Sequence, residues 1–131
     1  MTLTQADREA IWHELRSCLE ELRSEVVRQC PRVTAQIGQH STDAFPLGVF
    51  AGFSSSGDPA DEDLVVSVDA HREGGRIRCS SDIALGDGTV IATGPEATLK
   101  FPVEYEGELR VWVRDVCAFI RSNTDTVAKE L

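Results

Sequence analysis

Between Leu64 and Leu85 apolar and polar residues alternate with a period of two. Leu64, Val66, Val68 and Ala70 alternate with Val65, Ser67, Asp69 and His71. Ile77, Cys79, Ile83 and Leu85 alternate with Arg76, Arg78, Ser80, Asp82 and Ala84, with Ser81 as the polar interruption of the inner set. This pattern predicts two strands, each with one buried face. Gly74-Gly75 lies between them and suits a tight hairpin turn, which needs positive φ. A turn there sets Ala70 opposite Cys79, Val66 opposite Ile83 and Leu64 opposite Leu85. A slip of one residue would set Val66 against Asp82, so the pattern selects one register. Asp87-Gly88 predicts a second hairpin, with Leu85 facing Val90 and Ile83 facing Ala92. Gly94-Pro95 interrupts that third strand. Pairing is expected to resume at Ala97–Phe101, as a bulged continuation or as a separate edge strand.

The flanking segments read as cover for one face of this sheet. From Gln5 to about Gln29, Ile11, Leu15, Cys18, Leu22 and Val26 form a helical stripe, widened by Trp12, Leu19 and Val27. Thr4 is the expected cap, and Pro31 ends the helix. Arg32 to Pro46 reads as a connector with one helical turn. Leu47–Phe53 reads as the first strand, with Leu47, Val49, Ala51 and Phe53 inward and Gly48, Phe50 and Gly52 outward. Ser54–Asp63 is expected to be a solvated, mobile loop. After a connector at Pro102–Glu106, Leu109, Trp112, Val113, Val116, Phe119 and Ile120 share a face of a second helix, roughly Gly107 to Ser122. The order α-β-β-β-(β)-α predicts a single α+β domain over residues 1–131. The expected architecture is a two-layer sandwich: an antiparallel meander of three or four strands, with the N- and C-terminal helices on one face.

Charge narrows the partners. The 131 residues carry a formal net charge of −9. Phosphate backbones require clustered Lys and Arg, so nucleic acid is not an expected partner, whereas a basic protein is. Acidity of this degree also suits a soluble, bacterial-type cytosolic protein. The first residues lack a basic-then-apolar leader, and no run approaches the roughly 18 apolar residues of a membrane span. The expectation is a cytoplasmic protein with no membrane partner. Six acids and no Lys or Arg fall between Ser41 and Ala70. Yet the loop Asp58–Asp63 lacks the ligand spacing of a calcium-binding EF-hand. The four cysteines, Cys18, Cys30, Cys79 and Cys117, form no CxxC pair and have no His at ligand spacing. Reduced structural thiols, no metal and no cofactor are expected.

Candidate chemistry concentrates on the outer face of the central hairpin. Asp69, His71 and Asp82 are the residues of a small-enzyme reading, with Ser67 and Ser80 nearby in register. Asp69 and His71 are successive on one strand face, about 7 Å apart along it, and no GxSxG nucleophile elbow is present. No catalytic site is assigned on this basis. The feature that stands out is apolar: Val65, Ala84 and Ile91 are expected to align in one cross-strand row, which Phe50 would extend. The element order loosely resembles that of small secretion chaperones and some toxin-immunity proteins. That resemblance implies an acidic partner-binding protein; acidity, small size, the lack of a catalytic constellation and the apolar row together point to a non-catalytic protein-binding module with the row as its contact. The alternatives are a homodimer whose self-contact is that row or the first helix, and a small enzyme using the outer sheet face.

Overall fold

The computed structural model describes residues 5–40, 47–58, 60–100 and 105–131, without the side chains of Gln5, His40, Leu47, Tyr105 and Glu106. The expected Thr4 cap, the inward Leu47 side chain and most of the Pro102–Glu106 connector lie outside the described residues. The chain forms α1 (Gln5–Gln29), β1 (Thr34–His40), β2 (Leu47–Ser54), β3 (Leu64–Glu73), β4 (Arg76–Leu85), β5 (Val90–Thr93), β6 (Ala97–Lys100), α2 (Tyr105–Ser122) and α3 (Thr124–Glu130). This is an α+β fold with one antiparallel sheet in the order β1-β2-β3-β4-β5, and β6 also pairs with β4.

The β3–β4 hairpin has the register that its hydrophobic pattern demands. Ala70 lies opposite Cys79, Val66 opposite Ile83 and Leu64 opposite Leu85. Gly74 takes φ +64 in the turn, where a side chain would be strained. β6 pairs with the first half of β4 and β5 with the second, so Gly94-Pro95 splits one edge into two short strands. β6 is thus a separate strand, one of the two alternatives expected beyond the proline.

Two expectations are corrected. The first is the segment after Pro31, which contains a strand rather than a connector with a helical turn. β1 pairs with β2 along its full length, from Thr34 opposite Ser54 to His40 opposite Gly48. The alternation of Ala35 and Ile37 prevails over the loop chemistry of Gly38, because β2 supplies a partner strand. The sheet therefore has six strands, not three or four. The second correction is the turn after β4. Leu85 N–H donates to the Thr89 carbonyl at 2.8 Å and closes a three-residue loop of Gly86, Asp87 and Gly88. That loop sets Ala84, not Leu85, near Val90 in register. A β-bulge at Ile83/Ala84 then absorbs Ile91 and restores Ile83 opposite Ala92.

All three helices contribute to one core on the inner face of the sheet. α1 buries Ile11, Leu15, Cys18, Leu19, Leu22 and Val26. α2 buries Leu109, Trp112, Val113, Val116, Cys117 and Ile120, and α3 adds Val127 and Ala128. They meet Val49, Ala51 and Phe53 of β2, Leu64 to Ala70 of β3 at alternate positions, and Ile77, Cys79 and Ile83 of β4. Ser81 interrupts the inner face without being left unpaired, since its hydroxyl donates to the Pro95 carbonyl at 3.2 Å. Among the described residues, no helix is long and apolar enough to cross a membrane.

Candidate protein-binding surface

The alternate residues of the strands form the outer face. The side chains of Phe50, Val65 and Ala84 are half-buried there and stand apart from the core cluster that the helices join. The registers define two adjacent cross-strand rows. One runs Gln36, Gly52, Val65, Ala84, Val90, and the other Gly38, Phe50, Ser67, Asp82, Thr93.

Val65 and Ala84 therefore share a row, but the other two candidates do not complete it. Ile91 sits in the bulge and packs against the core. Val90 takes the place beside Ala84 and is 51% exposed. Phe50 lies in the neighbouring row, with its ring directly over Gly38, where a Cβ would strike it. The sequence signal for Val90 was present in Gly86-Asp87-Gly88, because a three-residue loop ending in a positive-φ glycine sets Leu85 opposite Thr89 and so Ala84 opposite Val90. Gly88 has φ +94.

The sequence reading also missed Glu62. The acidic loop is pinned at its base: Asp63 N–H donates to the Phe53 carbonyl at 2.8 Å, and Gly86 N–H donates to the Asp63 carbonyl at 2.9 Å. The Asp63 carboxylate accepts from both the amide and the hydroxyl of Ser55, which holds its pKa below the usual carboxylate value. So anchored, the loop lays the Glu62 side chain over Gly52, in space that any Cβ would take. One Glu62 carboxylate oxygen, Oε2, is buried with no hydrogen-bond partner among the described residues. Beside it, a shallow groove of about 320 Å³ is lined by Thr34, Ala35, Gln36, Gly52 and Ser54. The outer face thus combines an apolar row, a groove along β1 and β2, and an unpaired carboxylate oxygen. Asp82 adds a second acid in the adjacent row, and burial raises its pKa.

Asp69 and His71 are closer than strand spacing implied. Their side chains lean together, with His71 Nδ1 2.8 Å from Asp69 Oδ2. His71 Nε2 is also 3.7 Å from Glu73 Oε2, and Arg78 is 3.5 Å from the same oxygen. About half of each side chain of the His71–Asp69 pair is exposed. The pair stands at the hairpin tip among Glu73, Arg76 and Arg78, whereas Asp82 lies further along β4, opposite Ser67. Asp82 is thereby the diagonal cross-strand neighbour of Asp69, while His71 sits two residues nearer the turn. Among the described residues, no group of three His, Cys, Asp or Glu side chains is placed to hold a metal ion. All four cysteines are free thiols, and Cys79 is buried, which pushes its pKa up to about 12.

Comparison with family models, with curated proteins and with solved structures finds no match to this chain.

Proposed function

We propose that this protein is a non-catalytic protein-binding module that engages a basic partner with the outer face of its sheet. The observation that carries this reading is the unpaired Glu62 oxygen beside the apolar row of Val65, Ala84 and Val90. A buried carboxylate oxygen without a donor is unfavourable, so turning the Glu62 side chain outward to a partner's Lys or Arg would relieve it. The row supplies apolar area and the acids supply the sign of the partner. The chain's net charge of −9 favours the same sign. Self-association through this face fits less well, because a second copy would bring Glu62 and Asp82 against like charges.

The test uses the tagged full-length chain, its host's lysate and the double variant Val65→Glu with Val90→Lys. The expected result is a basic protein retained by wild type and weakened at least about a hundredfold by the variant, equivalent to roughly 3 kcal/mol. Circular dichroism should show the variant folded. A folded variant that retains the same partner equally well would remove this face as the contact. A dimer by light scattering that the variant abolishes would replace the basic partner with a second copy.

A further inference from the structure

β1 stands at one edge of the sheet. Among the described residues it pairs with β2 and with no other strand. The opposite edge is built in ways that discourage pairing with another chain. It is cut into β5 and β6 of four residues each, with Pro95 between them and Lys100 at the end of β6. A bulge also breaks the register of β4 with β5. β1 has none of these devices. It runs seven residues, Thr34–His40, in unbroken register with β2, and it contains no Lys, Pro, Asp or Glu.

Bonds elsewhere in the sheet show which backbone groups of β1 face the open edge. The Phe53 carbonyl accepts from Asp63 N–H, so Phe53 turns its backbone groups toward β3. Leu85, whose N–H donates to Thr89 on the far side of β4, fits the same alternation. Gly52, Phe50 and Gly48 therefore turn toward β1, and their partners Gln36, Gly38 and His40 are committed to β2. Ala35, Ile37 and Gln39 direct their N–H and C=O groups out of the sheet.

We propose that β1 pairs antiparallel with β1 of a second copy of this chain, about a two-fold axis at Ile37, so that two sheets become one. That axis sets Ile37 opposite Ile37 of the partner subunit and Ala35 opposite Gln39 of the partner subunit. The N–H and C=O of all three outward residues are then bonded. An axis one position to either side of Ile37 leaves Ala35 or Gln39 without a partner on the facing strand. Charge selects a second copy. The chain carries a net charge of −9, yet no Asp or Glu occurs from Val26 to Thr42, so two copies meet here without acid against acid. The same lack of acids gives a basic peptide nothing to read along this strand. Beneath the seam, Ala35 and Ile37 are half-buried and already pack against the core. Pairing brings the two Ile37 side chains together and joins the two cores. The outer face stays uncovered, so this contact is separate from the one assigned to Val65, Ala84 and Val90.

The test is sedimentation equilibrium of the intact chain at about 100 µM, which populates any dimer of micromolar affinity. The expected mass is twice 14.3 kDa. Amide exchange followed by NMR locates the contact. Ala35, Ile37 and Gln39 should exchange slowly in the dimer and fast after dilution to monomer, whereas Gln36 and Gly38, bonded to β2, stay slow in both. Gln39→Pro removes one outward N–H from each strand and no bond to β2, and proline is accepted at sheet edges. It should weaken association roughly thirtyfold. The outer-face variant Val65→Glu with Val90→Lys should dimerise as wild type does. A monomer at that concentration would overturn the proposal. So would a dimer whose Ile37 amide exchanges as fast as in the diluted chain, or a dimer that the outer-face variant abolishes and Gln39→Pro preserves. The mass and the exchange pattern are read on wild type, so they decide the question even where Gln39→Pro does not fold.

Discussion

The indole Nε1 of Trp112 donates to the backbone carbonyl of Pro95 at 2.9 Å, tying α2 to the link between β5 and β6. The same carbonyl accepts from Ser81 Oγ at 3.2 Å. One proline oxygen thus satisfies a buried hydroxyl on the inner sheet face and a buried indole on the helix, and the break at Gly94-Pro95 is what presents it to both.

Trp112→Phe removes one donor and leaves a gap in the core, and it is expected to cost about 2–4 kcal/mol. Ser81→Ala removes the weaker donor and should cost about 1 kcal/mol, since Trp112 still engages the oxygen. The double variant should lose more than the sum, because it strips Pro95 of both donors. Urea unfolding of the four proteins measures this. Strict additivity would mean that the shared oxygen does not couple the two side chains.

The strand assignment is tested on β3. Val66 is 1% exposed, between Ala51 and Ile83 in register, whereas its neighbour Ser67 points to the outer face. Val66→Asp buries an unpaired charge and should lose several kcal/mol, enough to unfold a protein of ordinary stability. Ser67→Asp should stay folded, with its melting temperature lowered only modestly by the facing Asp82. Near wild-type stability in Val66→Asp would put that residue on the wrong face.

The bulge makes a sharper prediction about two consecutive residues. Val90 is 51% exposed and lies beside Ala84, while Ile91 is partly buried against the core. Val90→Lys should therefore change stability by less than about 0.5 kcal/mol, as for an ordinary surface position. Ile91→Lys should cost about 1–3 kcal/mol, because a long charged side chain replaces an apolar one packed against the core. Thermal unfolding of the two variants decides it, and a reversed order would place Ile91 on the outer face.

What could be read from the sequence follows from the range of the interactions involved. The β3–β4 register was legible because Gly74-Gly75 and two alternating strands constrain each other within a short stretch. The inward and outward assignment of Val49 to Phe53 was legible from the alternation of that strand alone. β1 was not, since its alternation is short and Gly38 reads as loop chemistry until Phe50 is known to lie over it. Glu62 carries no local signal. Its position depends on how Asp63 is pinned to Phe53 and Gly86. The Asp69–His71 bond was discounted because a spacing along the strand measures backbone positions, and two side chains on one face can lean together.

Two carboxylates give opposite pH signatures. Burial raises the Asp82 pKa above its ordinary value of 3.8. The folded state then holds that proton to a higher pH than the unfolded state does. Stability contributed by this group is present below the unfolded value and falls as the pH rises through the folded one, so at neutral pH Asp82 is a net burden on the fold. Asp82→Asn should raise the melting temperature at pH 7. That gain should shrink as the pH falls through the raised folded value and be gone below the ordinary value of 3.8. Asp63 behaves in the reverse sense. Its bonds from Ser55 depress its pKa below 3.8, so its contribution is complete above that value and is lost as the pH falls through the folded one. Ser55→Ala should lower the melting temperature at neutral pH, and the deficit should fade in acid. Melting curves for both variants between acid and neutral pH give the two differences directly. A gain for Asp82→Asn that grows as the pH falls would mean that this carboxylate is stabilised in its charged form and not penalised by burial.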